Sequence, residues 1–113
     1  MNKRLPTHLE AAAIQRRAQA DGDFAAILRK GDAERGSLLL VIASRGRHVA
    51  CLERTLDFDG NYRWTHTGPG DSADPEKVAE FLEKRARFDD DSWAIELDIA
   101  QPERFIAETT AQT

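Results

Sequence analysis

The residues best able to do chemistry are gathered in two short stretches. Arg29, Lys30 and Asp32 close an apolar run, and Arg85, Arg87, Asp89, Asp90, Asp91 and Trp93 crowd a second segment. Carboxylates among guanidiniums can hold a small charged molecule, or Mg²⁺ or Ca²⁺ through oxygen ligands. A loop site for such an ion wants more ligands at fixed spacing. Three aspartates after a helix also sit where the macrodipole disfavours negative charge, so a cation must offset them. Aspartates capping local amides in a helix-to-strand turn explain the same pattern, and that structural reading is preferred.

The remaining polar residues carry weaker signals. Gly68-Pro69-Gly70-Asp71-Ser72 precedes a helix start, a natural anion site, with Arg63 and His66 upstream. Its spacing matches no P-loop or dinucleotide fingerprint, and Asp71 and Asp74 would repel a phosphate, so an ordinary loop is the better reading. His8, His48, His66 and Cys51 form no short-spaced zinc pair. Cys51, between Ala50 and Leu52, reads as a small apolar residue rather than a nucleophile. Arg16, Arg17, Arg29, Lys30, Arg45 and Arg47 could line a basic face. Phe24 is the only aromatic in that half, so stacking platforms for single-stranded nucleic acid are missing. Trp64 alternates with Tyr62 and belongs either to the core or to an interface. No catalytic residue, metal or cofactor follows from these groups.

The elements that position them are clearer. Leu38-Leu39-Leu40-Val41-Ile42 is apolar at every position, as in a strand buried on both faces in the middle of a covered sheet. A strand from Phe24 precedes it. Arg45-Gly46 turns the chain into a third strand, with Gly46 supplying a positive φ. Thr7 and Glu10 fit a capping box opening an Ala-rich helix to about Ala20, with Leu9, Ala12, Ala13 and Ile14 as its thin apolar face and Gly22 closing it. Asp59-Gly60-Asn61 leads to a fourth strand at Tyr62. Asp74-Pro75 opens a helix whose Val78, Phe81 and Leu82 recur at helical spacing. In the last strand Trp93, Ile95, Leu97 and Ile99 point inward and Ala94, Glu96 and Asp98 outward. Pro102 starts a short helix that packs Phe105 and Ile106. The expected fold is α+β, a mostly antiparallel sheet of about five strands in the order α-β-β-β-β-α-β-α. It forms a single domain over 1–113, with 1–5 and 109–113 frayed.

Composition bounds the function. The chain has 113 residues, 41% apolar and 32% charged, with net charge −4. That suits one soluble domain without overall attraction to nucleic acid or anionic membranes. No run approaches the roughly 20 apolar residues of a membrane span, and Met1-Asn2-Lys3-Arg4 is followed by no apolar signal region. A single cysteine fits a reducing cytoplasm. Charge is uneven: residues 1–54 carry ten Lys/Arg against six Asp/Glu, residues 55–113 six against fourteen. Mutual pairing of the two halves is the preferred reading.

Over nearly its whole length the chain resembles the Domain of Unknown Function 1491 family of small alphaproteobacterial proteins. The resemblance rests on Leu5-Pro6-Thr7 with Arg16-Arg17, Gly22-Asp23-Phe24-Ala25-Ala26, Arg29-Lys30-Gly31-Asp32, Gly36-Ser37-Leu38-Leu39 and Leu52-Glu53-Arg54. Gly60, Tyr62 and Trp64, and the segment Arg85 to Glu96, complete it. Where such sequences often read Asp-Pro-Asp, this one has Asp89-Asp90-Asp91, a less rigid turn. The resemblance implies an uncharacterised cytosolic bacterial protein and carries over no site residue.

The doubly apolar central strand makes a further demand. If one Ala-rich, one amphipathic and one short helix cannot cover both sheet faces, another chain must cover the remaining face or an edge. The leading expectation is therefore a non-catalytic protein-interaction module, a homodimer or an adaptor for an unknown partner. The alternative is a small-molecule or anion binder, or an enzyme. Candidate contact residues across both are Arg29, Lys30, Asp32, Trp64, Arg85, Asp89 and Asp91.

Overall fold

A computed structural model describes residues 5–111. All eight elements occur in the expected order: α1 (Thr7–Ala20), β1 (Phe24–Arg29), β2 (Leu38–Ser44), β3 (Arg47–Leu56), β4 (Tyr62–Thr67), α2 (Pro75–Phe88), β5 (Trp93–Asp98) and α3 (Pro102–Thr110). The strands form one sheet in the order β1-β5-β2-β3-β4. Among the described residues only β2 and β5 run parallel; the other three pairs are antiparallel. The chain returns from β4 through α2 to insert β5 between β1 and β2. The expected outer tails are 1–5 and 109–113; α3 runs through Thr110, and residues 1–4 and 112–113 lie outside the described ones.

β2 lies at the centre, and Leu38 to Ala43 are all buried. Alternation along the strands divides the core in two. Leu38, Leu40, Ile42, Leu52, Ile95 and Leu97 face α1 and α3, where Ala11, Ile14, Ala18, Phe105 and Ile106 pack on them. Leu39, Val41 and Cys51 face the other way, against Val78, Phe81 and Leu82 of α2. Each fully buried Leu or Ile contributes about 1.5–3 kcal/mol of transfer free energy, so β2 alone supplies much of the driving force. The three helices therefore divide the two faces between them, two on one side and one on the other.

Local chemistry sets the ends of these elements. Gly22 at φ 81° closes α1, its amide donating to the Gln19 carbonyl and that of Asp23 to the Ala18 carbonyl. In the β2–β3 turn both Arg45 (φ 53°) and Gly46 (φ 80°) are left-handed, as a two-residue hairpin requires. The Asp98 carboxylate accepts both turn amides, at 2.8 and 2.9 Å, and so ties β5 to the hairpin.

Three expectations are corrected. Thr7 is not an N-cap: Pro6 holds that place, and the buried Thr7 hydroxyl reaches the Glu34 and Gly36 carbonyls, at 3.1 and 3.0 Å, across the chain. Glu10, freed from the capping box, pairs with Arg54 of β3. The buried side of α1 is Ala11 and Ala18 with Ile14, whereas Leu9 is 46% exposed. In an Ala-rich helix the apolar stripe is too faint to set its rotation, and a tertiary hydrogen bond sets it instead. Ala94 is buried and Glu96 and Asp98 are half-buried, because β5 is an interior strand rather than one with a solvated face.

Candidate functional site

Four of the seven candidate residues meet at one corner, where the β1–β2 loop crosses the α2–β5 turn. Arg29 Nη2 donates to the Asp90 carbonyl at 3.0 Å, and the Asp32 amide donates to the Asp91 carbonyl at 2.9 Å. The Trp93 indole N–H reaches the Asp32 carbonyl at 2.7 Å. Asp32 Oδ2 accepts the amides of Glu34 and Arg35, and Asp89 accepts the Ser37 hydroxyl and the Asp91 amide. The two backbones touch: a β-carbon on Gly31 or Gly36 would fall 2.0 or 2.3 Å from the Asp91 carbonyl oxygen. Arg29 Nε is buried without a hydrogen-bond partner among the described residues.

The chemistry of this corner is that of a brace. Asp32 and Asp89 already accept bonds from the chain itself, and the two backbones are in close contact between them. No group of three or more metal-ligating side chains occurs among the described residues. The other three candidates lie apart. Lys30 is exposed, Arg85 pairs with Glu53 on the α2 side of the sheet, and Trp64 lies on the opposite side, under α1 and α3.

Trp64 belongs to a cavity of about 310 Å³ between α1, α3 and the sheet. Ile14, Leu40, Leu97, Ile99 and Phe105 form its apolar walls, with Glu10, Arg17, Asp21 and Asp23 among its polar groups. Nearby, Arg54 is buried under the Tyr62 ring, 4.9 Å from its centroid, and paired with Glu10; the two side chains are only 7% and 20% exposed. Sequence reasoning missed this pair, since nothing in the spacing of residues 10 and 54 announces it.

Cys51 lies on the α2 side with His48 Nε2 4.0 Å from its sulfur. Burial pushes the thiol up to about 11, so it stays protonated and behaves as the small apolar residue expected. His48 bonds to the Pro69 carbonyl at 3.0 Å. The Gly68 loop seats α2: a β-carbon on Gly68 would fall 2.6 Å from the Phe81 ring.

The most conspicuous unused surface is an edge strand. Among the described residues β1 pairs only with β5, and Phe24 and Leu28 are 55% and 48% exposed. Phe24 and Ala26 pair with Asp98 and Glu96, on the face that α2 shares, but the apolar contacts of α2 are with β2 and β3. From Phe24 to Leu28 the strand holds neither charge nor proline, the usual protections of an edge. The opposite edge, β4, carries Arg63 and His66. The FAAIL run was visible in the sequence; its edge position followed only from where β5 inserts.

The family model described as "Protein of unknown function (DUF1491)" matches residues 5–107. The chain belongs to the DUF1491 family. A crystal structure of a DUF1491 family protein from Caulobacter crescentus CB15 is similar, with TM-score 0.75 and 31% identity over 85% of this chain and 89% of that one. An NMR structure of a DUF1491 family protein from the same organism gives TM-score 0.73 and 31% identity over 86% and 87%. The solution structure of protein Atu0922 from A. tumefaciens gives 0.72 and 25% over 87% and 88%. No curated protein matches. DUF1491 thus brings a shared fold and no assigned activity. No helix among the described residues is long and apolar enough to cross a membrane.

Proposed function

We propose that this DUF1491 protein is a non-catalytic interaction module that offers its β1 edge to a protein partner. The observation that carries the reading is the uncharged, half-exposed Phe24–Leu28 strand at an unpaired sheet edge. Such an edge presents a row of backbone donors and acceptors, and adding a strand satisfies them while burying alternate side chains. The polar corner at Asp32 and Asp89 supports this by fixing the end of β1, since Arg29 is tied to the Asp90 carbonyl. A photo-crosslinking amino acid placed at position 24 in cells is expected to yield a discrete protein adduct. The same group at Glu80, exposed on α2, should yield none. Equal labelling at both positions would overturn the reading.

A second reading is favoured by the cavity beside Trp64. Its volume, at the lower end of small-molecule sites, and its apolar walls with a few charged groups suit a small amphipathic molecule. A metabolite at about 100 times its dissociation constant should raise the melting midpoint on the order of 10 °C. Ala13→Trp, at the exposed rim, should remove that rise without unfolding the protein. Silence across a broad panel would sink this reading.

A further inference from the structure

We infer that the cavity beside Trp64 takes an amphipathic amine, an elongated apolar body carrying one positively charged amino group; this rests on the second reading above, that the cavity binds a small molecule. Its shape selects the body. On α1 the lining positions are Glu10, Ala13, Ile14, Arg17, Ala18 and Asp21, which recur every three or four residues along one side of the helix. At 1.5 Å per residue they span about 16 Å. A volume of about 310 Å³ spread over that length is a slot running with the helix, not a round pit. Leu40 and Leu97 of the sheet and Ile99, just after β5, form its floor, and Phe105 supplies the α3 side. Such walls accept alkyl or aryl groups and offer no partner to a polar body.

The charges select the head group. Among the described residues the ionisable side chains lining the slot are Glu10, Arg17, Asp21 and Asp23. Glu10 is paired with Arg54, so that end holds matched charges. Asp21 and Asp23 lie at the other end, where α1 terminates and its macrodipole adds negative charge. Asp23 is half-buried and spends Oδ1 on the Ala100 amide, at 3.1 Å, which holds its carboxylate at the Ile99–Ala100 end of the floor. Its Oδ2 and the side chain of Asp21 make no hydrogen bond or ion pair among the described residues. Arg17 is exposed, and although it stands one turn before Asp21 it forms no ion pair with it. Two carboxylates and a helix C-terminus against one guanidinium leave this end negative. An ammonium is attracted to both aspartates, a carboxylate is repelled by them, and a neutral head gains neither effect.

A matched series of ligands tests the head group directly. Octylamine, octanol and octanoate share one apolar body, and each is titrated calorimetrically into the wild-type protein at pH 7. Octylamine should bind tighter than octanoate on the order of 10-fold, with octanol between them. Added salt should narrow that gap and leave octanol unchanged, because only the charged heads are screened. The variant carrying Asp21→Asn and Asp23→Asn should lose the preference for the amine and keep its affinity for octanol. Asparagine at 23 retains an acceptor for the Ala100 amide, so the fold is expected to hold. Should that variant not fold, the salt series on the wild type decides the same question. Ala13→Trp, which fills the slot, should abolish binding of all three. Octanol or octanoate binding as tightly as octylamine, and lost in Ala13→Trp, would overturn the amine and leave the cavity reading in place. Octylamine binding that survives Ala13→Trp would place the amine elsewhere and overturn the inference. Failure of all three to bind would overturn it as well, while the cavity reading falls only if the broad panel is also silent.

Discussion

Trp93 and the two glycines Gly31 and Gly36 do more than any charged residue to fix the corner beside β1. The indole bonds the Asp32 carbonyl at 2.7 Å, and both glycines let the Asp91 carbonyl come close. Trp93→Phe, which keeps the ring in the core and deletes the donor, should cost about 1–2 kcal/mol in urea unfolding. Gly36→Ala should cost more, because backbone must move to admit the methyl. Cys51 gives a test in pH. Its folded value, about 11, lies above the ordinary 9.0, so the native state favours the neutral thiol. The stability this provides is complete below pH 9 and is lost as pH rises toward 11. Thermal melts between pH 8 and 11 should show that decline, and Cys51→Ala should flatten it. At pH 8 a thiol reagent should label the protein only on unfolding. At this scale the sequence was legible where chemistry is local. Gly22 and Gly46 follow from their turns, and Cys51 follows from its apolar neighbours. Thr7 does not, because its hydroxyl serves carbonyls at Glu34 and Gly36 that no local pattern places beside it.

Elements were read well from periodicity and less well where contacts span the chain. The continuous apolar run of β2 implied a strand covered on both faces, and α1 and α3 on one side with α2 on the other provide that cover. The parallel insertion of β5 between β1 and β2 was not legible, since alternation in a strand does not name its neighbours. That insertion is what makes β1 an edge and brings Asp98 to the β2–β3 turn. The Glu10–Arg54 pair is similarly long-range, and it joins α1 to β3 at a largely buried site. Arg54→Leu should therefore destabilise by about 3–5 kcal/mol, since it removes one member of a buried pair. The combined Glu10→Gln and Arg54→Leu variant should lose less than Arg54→Leu alone. A double-variant cycle by denaturant unfolding measures the difference, and a simple sum of the single effects would argue against a coupled pair.

At the scale of the whole molecule, the three helices and five-stranded sheet of the described residues cover their own core and leave the β1 edge uncharged from Phe24 to Leu28. The candidate residues of the polar corner are absorbed in bracing that edge, and Arg85 and Trp64 serve the two opposite faces. What could be read in advance was a condition: another chain was needed only if the helices failed to cover both faces of the sheet, and α1, α3 and α2 cover them. That β1 lies at an edge depended on topology. The central claim, that β1 is an edge completed by another strand, is tested most directly by amide hydrogen exchange of the protein alone and in cell extract, across a range of concentrations. The account predicts that those β1 amides not bonded to β5 exchange fast in the dilute protein alone and become protected when the partner is present, while β4 is unchanged. Fast exchange along β1 at every concentration, both alone and in cell extract, would contradict it.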